Sequence, residues 1–150
     1  MNANYNKIKS DLLDFGKRNG ACIDQYQRLY KAESIEDIIS VVKDNFKWYV
    51  NCEDFAEVVM ANREQFAEHR IWINQDVEIR EGVGFILATE GEIDAMSWGT
   101  STINATSRDT STMIIHTVNI ECEVNDSSIA RYTCDNRIVI ADDLLKIEKQ

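Results

Sequence analysis

The sequence predicts an α+β protein in which N-terminal helices over residues 1–70 cap a short parallel β-helix over residues 71–150. Three observations predict it. Apolar residues recur at spacings of three and four as far as Phe66, the stripe of amphipathic helices. From Ile71 the pattern changes to short alternating triplets separated by Gly, Ser, Asn and Asp. From Val77 these triplets return with a beat of seven to ten residues. With no proline and no Gly/Ser-rich linker, the two parts are expected to pack together as one unit.

In the first part, Ile8, Leu12 and Phe15 mark a first helix, punctuated by Gly16 and Gly20. Cys22, Tyr26, Leu29 and Tyr30 form a second stripe read as one face. Ser34 is an expected N-cap, because Asp37 follows three residues later and an apolar run comes next. Ile35, Ile38, Ile39, Val42 and Phe46 are expected along that third helix. A fourth, over EDFAEVVMANREQFAEH, lines Phe55, Val58, Val59, Asn62 and Phe66 along one side.

In the second part the triplets are IWI, VEI, FIL, IDA, INA, MII, IEC, IAR and IVI. Two architectures show such a beat: an antiparallel β-sandwich and a parallel β-helix. Strands of about three residues, and turns without the Asn-Gly or Asp-Gly of tight hairpins, favour the β-helix. Three beats would make a three-sided coil, and a stack of coils leaves ends that the helices would cover.

Composition narrows the function. Net charge is −10 and uneven: residues 51–100 carry three Lys/Arg against eleven Asp/Glu, whereas residues 1–50 carry eight against seven. An acidic middle opposes direct contact with nucleic-acid phosphates and leaves room for a basic protein partner. No apolar run approaches a membrane span and the N-terminus has no apolar leader, so a cytoplasmic location is expected. Four cysteines, Cys22, Cys52, Cys122 and Cys134, form no metal-binding pattern and are expected as free, mostly buried thiols. A bridge between Cys122 and Cys134 requires neighbouring strands to bring them together.

No catalytic constellation stands out. His69 closes a helix, His116 follows MII at an expected turn, and neither neighbours a nucleophile. No catalytic, cofactor or metal residue is therefore assigned, and no cofactor is expected. Alternation in VEI, IDA and IEC sends Glu78, Asp94 and Glu121 outward, with Glu92 and Glu123 able to join them. The plainest account of these acids is solvation on separate faces. They could also form a stripe imitating nucleic-acid phosphates, or a calcium site or carboxylate pair acting on a sugar. Trp98, in a turn, is the leading contact residue, while Trp48, Tyr49 and Trp72 are expected at a helix-to-β interface. The candidate interaction surface is thus Glu78, Glu92, Asp94, Trp98, Glu121 and Glu123.

The stretch GACIDQYQRLYKAESIEDIIS, with Ala21, Cys22, Arg28, Leu29, Ser34 and Ile35, followed by short β repeats, resembles a group of small proteins of gut bacteria and their phages and mobile elements. That resemblance implies helices followed by β-helix repeats, and it carries no activity. The expected function is a non-enzymatic protein-interaction module, a phage or mobile-element accessory protein that binds a host protein and forms a homo-oligomer. The alternatives are an acidic, nucleic-acid-mimicking inhibitor and a polysaccharide-acting β-helix enzyme.

Overall fold

Residues 3–98, 101–108, 111–123, 129–141 and 144–149 are described in a computed structural model, those from 117 onward by backbone alone. The chain divides into two units, Met1–His69 and Arg70–Gln150.

The first unit is helical. α1 (Ala3–Asn19) buries Tyr5, Ile8, Leu12 and Phe15 on one stripe and runs through Gly16 to end before Gly20. α2 (Ile23–Tyr30) departs from expectation. Cys22 is its N-cap, with Sγ accepting from the Gln25 amide at 3.4 Å. Its buried residues are Gln25 and Leu29, and Tyr30 is exposed. α3 (Ile35–Asp44) is capped by Ser34 as expected, the Asp37 amide donating to Ser34 Oγ at 3.1 Å.

Two expected helices are each broken in two. Asn45 separates α3 from α4 (Phe46–Asn51), and Asn62 separates α5 (Phe55–Ala61) from α6 (Arg63–Glu68). Both asparagines bond back to the preceding turn: Asn45 Nδ2 donates to the Val41 carbonyl and Asn62 Nδ2 to the Val58 carbonyl. Such local bonds compete with helix propagation and suit helix ends. Phe15 stacks on Tyr49 at 5.4 Å and meets Trp48 edge-on at 5.7 Å. Phe55 completes this cluster. Tyr49 thus belongs to the helical unit's own core, and the half-buried Trp48 packs on it edge-on.

Among its described residues the second unit holds eight strands. β1 (Ile71–Ile73), β3 (Val83–Ala88) and β5 (Thr102–Ser107) pair in parallel as one ladder. β2 (Val77–Ile79), β4 (Glu92–Ser97) and β6 (Thr112–Glu123) pair in parallel as a second. Successive strands therefore alternate between ladders, and each pairs with the strand two beats on. The register steps are Ile71 to Phe85, Val77 to Ala95, Val83 to Thr102 and Glu92 to Thr112. This replaces the expected three-beat coil. No sandwich forms, and no closed β-helix is present among the described residues.

Both ladders feed one core. Ile86, Ala88, Ile103 and Ala105 come from the first, and Ile79, Ile93, Ala95, Met113 and Ile115 from the second. Trp72 packs against this core, within the β unit. Burying an aliphatic side chain of this kind contributes about 1.5–3 kcal/mol. Alternation is cleanest in β4, where Ile93, Ala95 and Ser97 are buried and Glu92, Asp94 and Met96 are exposed.

The corners repeat. Ser97 and Ser101 share a hydroxyl hydrogen bond, and Ser101 Oγ donates to the Ile79 carbonyl at 3.1 Å. Ten residues on, Ser107 and Ser111 share the same bond at 2.7 Å, and Ser111 Oγ donates to the Ala88 carbonyl at 3.0 Å. All four serines are buried. Gly82 and Gly91 turn at φ of +73° and +74°, a region closed to most residues. Their carbonyls accept the Thr102 and Thr112 amides, both at 2.9 Å. Each corner thereby satisfies backbone groups that burial would otherwise strand.

The parallel pattern stops after β6. The triplets MII and IEC belong to one strand, β6, and IAR and IVI to one strand, β7 (Ile129–Ala141). β7 pairs antiparallel with β6 and with β8 (Leu144–Lys149). Expected parallel rungs at Ile129 and Ile138 are thus an antiparallel meander. The first half of β6 pairs with β4, and Glu121 and Cys122 pair with Asn104 and Ala105 of β5.

Candidate interaction surface

The second ladder carries the candidate surface. Its register places Glu78 beside Met96, and Met96 beside His116, in one outward column. Asp94 lies beside Ile114 and Glu92 beside Thr112, so Glu92, Asp94 and Glu78 project from one face without meeting as register partners. Strand spacing of about 4.8 Å and a rise of about 3.3 Å per residue set Glu78 and Asp94 about 8 Å apart at the backbone. That offset spares the face the repulsion of like charges placed directly opposite.

Three side chains organise the column's end. Arg80 pairs with Glu78 and lies over the Trp98 ring, 5.3 Å from its centroid. Trp98 Nε1 donates to Glu78 Oε1 at 3.1 Å. Trp98 remains 44% exposed and Met96 37%. The result is an apolar pair framed by carboxylates, with one guanidinium already engaged. Asp76, just ahead of β2, adds to the acidic frame: its Oδ1 accepts the Asp94 amide at 2.9 Å.

Glu121 and Glu123 stand elsewhere. Both lie in the second half of β6, where Glu121 faces Asn104 of β5 and Arg131 of β7, and Glu123 faces Ile129. By register they belong beside the first ladder, away from Glu78, Glu92 and Asp94. Their side chains lie outside the described residues.

Sequence reasoning missed Asp76, Arg80 and Met96. Arg80 was legible, since it follows Glu78 by two residues and shares its face in an extended chain. Asp76 had no such signal, because its role depends on the strand eighteen residues later.

His69 caps α6 as expected. His116 sits within β6 instead of at a turn, and is half-buried. Cys22 is exposed and Cys52 half-buried, contrary to the expectation of buried thiols. Register places Cys122 opposite Ala130, four residues along β7 from Cys134. That is about 13 Å at the rise of an extended strand, beyond the reach of a disulfide.

In the helical unit, Asp11 accepts from Asn62 and Lys7. Burial pushes its carboxyl up, but those two hydrogen bonds and the charges of Lys7 and Arg18 outweigh it and hold the pKa below the usual value. Asp54 behaves alike: burial raises it, while hydrogen bonds from Asn19 and Arg18 bring it lower overall. Burial pushes the Tyr49 phenol up, against a hydrogen bond with Gln25.

Among the described residues, no three His, Cys, Asp or Glu side chains stand together in a way that could hold a metal ion. No helix among them is long and apolar enough to cross a membrane. No family model, curated protein or solved structure matches the chain.

Proposed function

We propose that this chain is a non-enzymatic protein-interaction module whose β unit acts as a short parallel solenoid, two strands to a turn. Alternation of strands between two ladders around one core supports that winding. The observation that carries the functional reading is the outer face of the second ladder. There Glu92, Asp94 and Glu78 surround the exposed Met96 and Trp98. An aromatic anchor inside a charged rim is the composition of a binding patch, and its sign selects a basic segment of the partner. A phage or mobile-element origin, action on a host protein in the cytoplasm and self-association belong to the same proposal.

Its test is capture from host lysate by the immobilised full chain, at low and high salt, with mass-spectrometric identification. A basic protein retained at low salt, released at high salt, and lost by the Trp98→Ala and Asp94→Lys variants supports the reading. Equal capture by wild type and both variants contradicts it. Should the captured proteins all bind nucleic acid, the phosphate-mimicking inhibitor is the better description. Turnover of a polysaccharide that disappears in Glu78→Gln would replace both with the enzymatic alternative.

A further inference from the structure

α2 has two apolar faces. Gln25 and Leu29 are buried within the helical unit. Ile23, Tyr26 and Tyr30, spaced by three and four, form a second stripe that the unit leaves largely uncovered: Ile23 is 73% exposed and Tyr30 64%. A cavity of about 520 Å³ opens beside this stripe, with Gly16 and Ala21 beneath it and Lys17 at its side. A Cβ on Gly16 would stand 3.4 Å from the Tyr26 ring, so the groove's depth there depends on the missing side chain. Isolated exposed apolar residues are ordinary, but a periodic stripe beside a groove marks a place where another surface seats.

The charge around the groove says which surface. Along its continuation the lining includes Lys9, Lys17 and a single anion, Asp14. Lys9 lies over the Tyr30 ring at 5.8 Å from the centroid, but its ammonium already donates to the Ala32 carbonyl and the Tyr5 hydroxyl; Lys17 has no ion-pair partner among the described residues and is the cation the groove leaves open. In a chain of net charge −10 this is a local reversal of sign. We infer that the α1–α2 groove docks an acidic amphipathic helix of a partner protein, its apolar side chains against Ile23, Tyr26 and Tyr30 and its carboxylates toward Lys17. Recognition of a helix in a groove uses anchors at this spacing. The site is independent of the acidic ladder face, which selects the opposite charge, so either surface can fail its test without the other.

The test is a displayed library of helical peptides of random surface charge, selected on the full chain, with single clones measured by fluorescence anisotropy. The expected winners carry apolar residues at helical spacing and an excess of Asp and Glu. Their affinity should fall at least tenfold in Ile23→Lys and Tyr30→Ser, and severalfold in Lys17→Glu. Both apolar positions are exposed, so these variants keep the fold, which circular dichroism checks. Enrichment of basic or uncharged peptides, no enrichment, or affinities unmoved by the three substitutions would overturn the inference. A dimer in sedimentation that Ile23→Lys dissolves would also overturn it, because a second copy would then cover the groove.

Discussion

The indole of Trp98 donates to Glu78 Oε1 at 3.1 Å, joining the end of one strand to the outer face of another twenty residues earlier. Arg80 closes the group by lying over the face of the ring and pairing with the same Glu78 oxygen. All three side chains are substantially exposed, so the cluster orients a contact surface more than it stabilises the fold. Trp98→Ala should therefore lower stability by less than about 1 kcal/mol in urea unfolding. The same variant should weaken capture of a basic partner about tenfold or more, the size of effect typical of an anchor residue. A large stability loss with capture intact would assign Trp98 to the fold instead.

The buried serine corners make the opposite prediction. Ser111 Oγ bonds the Ala88 carbonyl at the end of β3 and shares a bond with Ser107. Ser111→Ala removes both and leaves the Ser107 hydroxyl short of its partner in a buried setting. The expected cost is about 1–3 kcal/mol by urea unfolding. Ser101→Ala should cost a similar amount through the Ile79 carbonyl. Values near zero for both would show the corners to be incidental.

Gly84 is a packing constraint. A Cβ there would overlap Ile79 Cδ1 and stand 2.8 Å from Trp72 Cζ3. Gly84→Ala should destabilise by about 1–3 kcal/mol, as overpacked cores do. Ile79→Val deletes the overlapping methyl at a cost of its own of about 0.5–1.5 kcal/mol. Combined, the two changes should cost less than their sum, by at least about 0.5 kcal/mol in a double-mutant cycle. Strict additivity would rule out the contact.

Acid should loosen the helical unit through Asp11 and Asp54. Hydrogen bonds and neighbouring cations hold both carboxyls below the usual carboxylate range in the folded chain. A depressed folded-state pKa contributes stability that is present above the unfolded value and is lost as pH falls through the folded one. Unfolding followed from pH 5 downward should therefore show stability falling below about pH 4. Asn62→Ala, which removes a donor to Asp11, should flatten that dependence while lowering stability at neutral pH. A slope unchanged in this variant would assign the acid sensitivity to other groups.

How far the sequence reached differs between the two units. The α1 stripe of Ile8, Leu12 and Phe15 was legible because helix periodicity is local, and so was the Ser34 cap. The breaks at Asn45 and Asn62 were not, since each depends on a side chain turning back to a carbonyl four residues earlier. Tyr26 and Tyr30 fit the same periodicity as Leu29, and only the packing of neighbouring helices separated the buried stripe of α2 from the exposed one. In the β unit the beat was visible, as were the outward turns of Glu78 and Asp94. The repeat from Ser97 to Ser101 and from Ser107 to Ser111 was present in the letters, but its meaning needs the carbonyl of an earlier strand.

By itself the sequence determined what short-range sterics and alternation decide: helices first, strands after, and which side of a strand is apolar. Tertiary structure alone decided which strands are neighbours. Pairing two beats apart rather than three, the reversal of direction at β7, and the separation of Glu121 and Glu123 from the other acids are all long-range choices. Every one of these pairings satisfies the same backbone hydrogen bonds locally. The energy that selects among them lies in how distant side chains fill one shared core, and that sum is not written in any short stretch of the chain.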